Sequence, residues 1–155
     1  GDENIMARTL YLDKKFSTTV SKLYDEKDPI TSERLFPNLV DVMVFAAMVG
    51  RDKFKSCNDV KLTPGGREIS SHVIQNLNRD GIAYLLALDD NRDGNILREE
   101  NDKEMWGYLE KFSSLGLQEI EVWLNGSGSL NVDPKDIILE KMKEIAIRDG
   151  LHKSE

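Results

Sequence analysis

The sequence is poor in the residues on which much protein chemistry depends. Its 155 residues include one cysteine, Cys57, and two histidines, His72 and His152. A single cysteine excludes an internal disulfide and indicates a reducing compartment. The sequence also lacks a phosphate loop, a dinucleotide fingerprint, a CxxC pair and an HExxH metal motif. We therefore predict that the protein is not an enzyme and has no cofactor.

Long apolar runs and an excess of basic residues are absent as well. No stretch reaches the 18 or so apolar residues that a membrane-spanning helix needs, and no charged-then-apolar leader is visible. The net charge of −7 argues against general affinity for nucleic acid or acidic membranes. With 39% hydrophobic and 32% charged residues, we expect one soluble, cytoplasmic domain over residues 1–155, flexible at 1–10 and 151–155.

Residues 35–50 carry the strongest structural signal. From Leu39 to Val49 apolar residues follow one another almost without interruption, Pro37 suits a first helical turn, and Gly50 suits a C-terminal cap. A helix that is apolar on all sides must be surrounded by other elements. We therefore predict a mainly α, single compact domain of about six helices around a buried central helix at residues 37–49. One short extended segment is expected at residues 68–71.

The remaining helices follow from apolar periodicity and capping residues. We predict helices at residues 12–27, 73–88 (broken near Asp80), 105–112 and 117–124, with a tight joint at 113–116, and a last helix from Asp133 to Gly150. Leu85 and Met142 are expected to face inward. Asp41, a carboxylate in the central helix, needs a partner, for which Arg34, Arg51 and Arg67 are candidates.

Residues 89–100 match the calcium-loop pattern D-x-[DN]-x-[DN]-G-x5-E at every position. The predicted oxygen ligands are Asp89, Asn91, Asp93, the carbonyl of Asn95, and Glu100. The exit residues depart from the pattern, because position nine is Leu97 and the residue after the loop is Asn101. No second loop is present to pair with the first. The alternative interpretation is an acidic connection between two helices, with an ordinary Asp-Gly turn.

Residues 51–67 carry a positive excess in an acidic chain. The five basic residues are Arg51, Lys53, Lys55, Lys61 and Arg67. They could contact a protein partner or, weakly, the phosphate backbone of DNA, and a solvated charged surface is the alternative. A third hypothesis is a hydrolase that uses Cys57, whose thiol pKa basic neighbours would lower if it were exposed, or His72 beside Ser70 and Ser71. We expect structural roles for both residues.

Two segments resemble a known family. They are DVMVFAAMVG, at the end of residues 35–50, and IAYLLAL at residues 82–88, followed by Phe112, Gly116-Leu117 and Trp123-Leu124. Together they resemble the small accessory proteins encoded beside bacterial dnd DNA-phosphorothioation systems (dnd system-associated protein 4). The resemblance covers residues 35–124 and rests mostly on core positions.

The resemblance indicates the cellular process in which the protein takes part and does not indicate a chemical reaction. Such proteins accompany machinery that places or senses sulphur in the DNA backbone, as part of antiviral defence and restriction of foreign DNA. It carries over no catalytic residues. Together with the residues above, it leads us to expect an accessory protein with partners in that system, weak direct DNA contact and no membrane contact. Calcium binding is the alternative function.

Overall fold

The computed structural model describes residues 7–92, 94–126 and 133–150. The elements are β1 (Thr9–Tyr11), a 3-10 turn (Lys14–Phe16), α1 (Ser17–Tyr24), α2 (Leu39–Lys53), β2 (Glu68–Ser70), α3 (Ser71–Asn76), α4 (Asp80–Asn91), two 3-10 turns (Gly94–Leu97 and Glu99–Asn101), α5 (Asp102–Asn125) and α6 (Pro134–Arg148). Six α-helices and one two-stranded sheet in these ranges confirm the predicted mainly α, single-domain architecture. None of the helices in these ranges is long and apolar enough to cross a membrane.

Helix α2 lies at the centre of the domain, as predicted, but both of its ends differ. The side chain of Asn38 accepts a 2.9 Å hydrogen bond from the backbone N–H of Asp41, so Asn38 is the N-cap and Pro37 precedes the helix. Gly50 does not end the helix, which continues to Lys53. Gly50 is instead buried at a helix crossing, where an added Cβ would lie 2.1 Å from the carbonyl oxygen of Phe112.

Helix α5 is one continuous helix of 24 residues, so the predicted joint at residues 113–116 is wrong. Its small residues serve to bring it close to α2. A Cβ on Gly116 would lie 1.6 Å from the carbonyl oxygen of Ala46, which means that the two helix backbones touch at this point. Helices α2 and α5 contact each other more extensively than any other pair of described elements.

The buried side chains come from almost every element. The largest fully buried apolar ones are Leu10, Leu12, Leu23, Val42, Met43, Ile74, Leu109, Phe112, Leu117, Ile120 and Ile138. Helix α4 turns Ala83, Leu86 and Ala87 inward, whereas Leu85 is 65% exposed, contrary to prediction. Met142 in α6 is also exposed, so its predicted inward position is wrong.

The extended segment predicted near Ile69 is confirmed as β2, which pairs antiparallel with β1 and places Leu10 opposite Ile69. Strand β1 was not predicted, because residues 1–10 were expected to be flexible. Residues 1–6 and 151–155 lie outside the described ranges. The predicted break between the third and fourth helices is confirmed at residues 77–79, where Asn78 has a φ of 58°.

A buried carboxylate joins the sheet to the helices. Asp13 is 1% exposed, and its oxygens accept hydrogen bonds from the backbone N–H of Lys15 (3.0 Å), the backbone N–H of Thr63 (3.3 Å) and the hydroxyl of Ser114 (2.7 Å). A buried charge is stable only with such partners. Asp13 therefore fixes the otherwise irregular segment between α2 and β2 against α5.

The crossing of α2 and α5 predicts unequal effects of two glycine substitutions in one helix. Gly116→Ala should lower the free energy of unfolding by at least about 3 kcal/mol, since the new methyl group meets backbone atoms that cannot yield without separating the helices. Gly107→Ala is the matched control, because a Cβ there has no neighbour within 4 Å. It should leave stability unchanged or raise it by about 0.5–1 kcal/mol. Urea denaturation measures both, and equal midpoints would contradict the backbone contact.

Candidate functional site

The five predicted basic residues do not form one positive surface. Arg51 donates from Nε to Oδ2 of Asp89 at 2.6 Å, and Lys53 Nζ lies 3.7 Å from Oε2 of Glu119. Arg67 also binds an acid, Asp25, so three of the five basic residues are paired with acids of the same chain.

Arg67 Nη2 lies 2.8 Å and 2.7 Å from the two carboxylate oxygens of Asp25, and its guanidinium lies over the ring of Tyr24. This hydrogen bonding lowers the pKa of Asp25 below its ordinary value. The side chains of Lys55 and Lys61 are exposed and form no ion pair with any residue that the structure describes. These two lysines are the part of the predicted surface that remains available.

The predicted calcium loop begins at a carboxylate that is already engaged. Asp89 accepts both Nε and Nη2 of Arg51, so a residue of the basic stretch binds the first predicted ligand. The carbonyl oxygen of Asn95, another predicted ligand, accepts a 2.6 Å hydrogen bond from the Asn101 amide. Glu100 is exposed.

Two other predicted calcium ligands, Asn91 and Asp93, have side chains outside the described part of the structure. Asp93 lies outside the described residues, and the side chain of Asn91 is not described, although its backbone closes α4. Among the residues that are described, no group of three or more His, Cys, Asp or Glu side chains is arranged to hold a metal ion. Calcium binding at residues 89–100 therefore stays a prediction.

Two ion pairs tie α2 to α4 at both ends. Arg79 Nε donates to Asp41 Oδ1 at 3.2 Å near the start of both helices, and Arg51 binds Asp89 near their ends. The two partners are 38 positions apart in each pair. Helices α2 and α4 therefore run in the same direction with their ends aligned. They are joined by these long side chains and not by close packing against each other. Asp41 does need a partner, as predicted, but that partner is Arg79.

An apolar strip lies between the two ion pairs. Val44 and Met48 follow Asp41 on one side of α2 at spacings of three and four residues. Ile82 and Leu85 follow Arg79 on α4, each at a spacing of three. Met48 is 53% and Leu85 65% exposed, while Val44 and Ile82 are half-buried. We call this surface the α2–α4 face, and it comprises Asp41, Val44, Met48, Arg51, Arg79, Ile82, Leu85 and Asp89.

The positions of Arg79 and Asp89 on α4 are explained by their ion pairs with α2 and not by the dipole of α4 itself. A helix favours acids in its first turn and bases in its last turn, as α2 has with Asp41 and Arg51. Helix α4 has the favoured acid Asp80 in its first turn, but Arg79 at its N-cap and Asp89 in its last turn have the reverse order. Those positions cost stability in an isolated helix, so the pairing across the face is what makes them favourable.

The α2–α4 face is not among the sequence predictions, although the sequence contains a signal for it. Asp41 and Arg51 are separated by the same interval as Arg79 and Asp89, with the order of charges reversed. Such an interval places the second residue about a quarter-turn around the helix from the first, so both lie on one broad face. When two such helices align in parallel, each charge on one helix faces an opposite charge on the other. The exposed apolar residues between the charges then lie on the same side of the domain.

Cys57 and His72 occupy positions that suit structural roles. Cys57 is buried, and its burial, followed by the negative charge of Asp90, raises the pKa of its thiol to about 11. The lowering by basic neighbours was predicted only for an exposed thiol, and that condition is not met because Cys57 is buried. His72 is exposed, and its backbone N–H donates to the hydroxyl of Ser70, which caps α3. The Ser71 hydroxyl is buried and accepts the backbone N–H of Arg8 at 2.8 Å.

The thiol environment predicts slow modification of Cys57 in the folded protein. At pH 8 a pKa of about 11 leaves roughly 100-fold less thiolate than an unperturbed cysteine has, and the side chain is also covered. A disulfide reagent such as dithiobis-nitrobenzoate should therefore label Cys57 at least about 100-fold more slowly in buffer than in urea. Equal rates in the two solutions would show that Cys57 is accessible.

The calcium hypothesis now makes a sharper prediction, because Asp89 must leave Arg51 to bind an ion. Calorimetric titration with Ca²⁺ should give binding heat that Glu100→Gln removes, and Arg51→Ala should tighten binding by up to about fivefold by releasing Asp89. Arg98→Ala removes a nearby positive charge outside the pair and serves as the control. A wild-type titration without heat would end the hypothesis.

The comparisons with known proteins extend the resemblance found in the sequence. A profile of the family described as DNA sulphur modification system-associated protein 4 matches residues 13–149. The match reaches from the 3-10 turn before α1 to the residue after α6. Comparisons with curated proteins and with solved structures give no match. Because the profile spans most of the chain, the protein belongs to the family of DNA sulphur modification system-associated protein 4.

Proposed function

We propose that the protein is a non-enzymatic accessory protein that binds a protein component of a DNA sulphur modification system through the α2–α4 face. The family description supports the association with such a system. The observation that carries the binding role is an exposed apolar strip, with Met48 and Leu85 at its centre and an ion pair at each end.

The composition of the face suits a protein partner. Protein interfaces combine an apolar centre with a polar rim, and exposed apolar surface rimmed by charges marks such sites. Met48 brings a flexible, polarizable side chain that adapts to a partner's shape. The two ion pairs, Asp41–Arg79 and Arg51–Asp89, stand at the rim and can add electrostatic specificity for the partner.

The face is also preorganised for binding. Helix α2 is fixed by its close contact with α5, and α4 packs on the same helix α5. The surface is therefore presented by two helices whose relative register the ion pairs maintain. Binding then requires little ordering of the backbone, which reduces the entropic cost of association.

The side chains of this face are better suited to binding a partner than to catalysing a reaction. Its centre is hydrocarbon, and its carboxylates are each held by an arginine. A general base or nucleophile needs a group that is free to exchange a proton or electrons with a substrate. We accordingly place the protein in the cytoplasm as a binding component of antiviral defence and restriction, in which another subunit supplies the catalysis.

DNA contact is a secondary part of the proposal. The net charge of −7 opposes it, and the pairing of Arg51, Lys53 and Arg67 with acids reduces the local positive charge. Lys55 and Lys61 are exposed, and they would supply a weak phosphate contact when a partner holds the protein near DNA.

The binding role predicts that Met48→Glu/Leu85→Glu abolishes association with a protein of the same system. The system's proteins are purified singly and tested by biolayer interferometry against this protein. Each substitution places a charge in the apolar centre, so together they should weaken binding at least about 100-fold. Val122→Glu, at a 60% exposed position of α5, is the matched control and should bind as the wild type does. Equal binding by all three proteins would overturn the assignment of the face.

The same assay separates DNA contact from protein contact. Lys55→Glu/Lys61→Glu should leave protein binding unchanged and should weaken the association of the assembled complex with duplex DNA, measured by fluorescence anisotropy at several salt concentrations. Because a phosphate contact is insensitive to base sequence, one duplex sequence is sufficient. It is tested with and without sulphur modification of its backbone. If Arg51→Glu/Lys53→Glu/Lys55→Glu altered neither protein nor DNA binding, the basic stretch would have no contact role.

A further inference from the structure

Helix α6 has two apolar rows, and the body of the domain covers one of them. Ile138 is buried, and Ile137 and Ile145 are half-buried against the domain. A second row lies about 100° around the helix axis. It consists of Leu139, which is 43% exposed, Met142, which is 45% exposed, and the partly exposed Ala146.

The second row has the spacing of a helix–helix seam. Its members recur at intervals of three and four residues, which is the a/d pattern by which two helices pack side by side. Such a row is not needed to hold α6 to α5, because Ile137 and Ile138 already do so. The row is therefore available for a helix from another molecule.

The charges beside this row fit a second copy of the same helix. Asp136 and Lys143 are exposed, lie on the same flank of the row, and form no ion pair with any described residue. When two copies of α6 pack antiparallel about a two-fold axis, Leu139 packs against the partner's Met142. Asp136 then faces the partner's Lys143, and the symmetry forms the same pair again.

The alternative orientation lacks this complementarity. In a parallel pair the flanking positions of Asp136 and Lys143 face the positions of Ile138 and Ile145, so neither charge meets an opposite charge. At the ends of the antiparallel seam, Lys135 lies beside the partner's Ala146, which is small enough to accept the aliphatic part of the lysine side chain.

We propose that the protein forms an antiparallel, two-fold symmetric dimer through the outer row of α6. Four helical turns give a contact smaller than a standard protein interface, so the dimer forms reversibly, at micromolar or higher protein concentration. Two chains of net charge −7 also repel each other, which keeps the association weak. The dimer uses residues of α6 and the proposed partner binding uses residues of α2 and α4, so different variants test the two proposals.

Sedimentation equilibrium over about 5–500 micromolar protein tests the dimer in this affinity range. The wild type should show a monomer–dimer equilibrium, and Leu139→Glu should be monomeric throughout. Asp136→Lys replaces two attractions with two repulsions and should weaken the dimer about tenfold. Asp136→Lys/Lys143→Asp restores opposite charges across the axis and should recover the wild-type constant to within a few fold.

Two controls keep the outcome interpretable. Leu85→Glu, on the α2–α4 face, should dimerise as the wild type does, and circular dichroism should show that every variant is folded. Three results would overturn the proposal. They are a wild type that stays monomeric over the whole range, a dimer that folded Leu139→Glu still forms, and a double charge variant that is no stronger than Asp136→Lys.

Discussion

The close crossing of α2 and α5 is the constraint on which the rest of the domain depends. Gly50 and Gly116 allow backbone atoms of the two helices to touch, and this buries one side of the most apolar helix. Asp13 reaches α5 through the hydroxyl of Ser114 and thereby attaches the sheet and the segment before it. Helices α1, α4 and α6 and strand β1 contact this pair of helices, while β2 and α3 are held through β1 and α4.

The α2–α4 face is a secondary product of that crossing. Once α5 covers one side of α2, the opposite side, with Val44 and Met48, is left toward solvent. Helix α4 packs on α5 beside it, and the two ion pairs set the alignment. Exposed pairs contribute only about 0–1 kcal/mol each, so packing of both helices on α5 holds them in place and the pairs add a preference for this alignment.

Local signals in the sequence predicted local structure. The cap at Asp133, the extended residues around Ile69 and the apolar run of α2 were all readable, because each depends on neighbouring residues. The sequence predicts a cap at Gly50 and a joint at Gly116, because a close helix crossing requires the same small residue as a turn does. The calcium-like spacing at Asp89 identified acidic residues correctly but not their partner, because the approach of Arg51 depends on a contact 38 residues away.

The dependence of α2 on α5 has a consequence for synthesis of the chain. Helix α2 is complete at Lys53, but the helix that covers it begins only at Asp102. For about fifty residues of elongation the most apolar segment of the protein lacks the helix that covers most of its buried surface. Exposed apolar segments of nascent chains are what chaperones bind and what aggregates in their absence. A chain interrupted before Asp102 therefore has the properties of an aggregation-prone fragment, however stable the finished domain is.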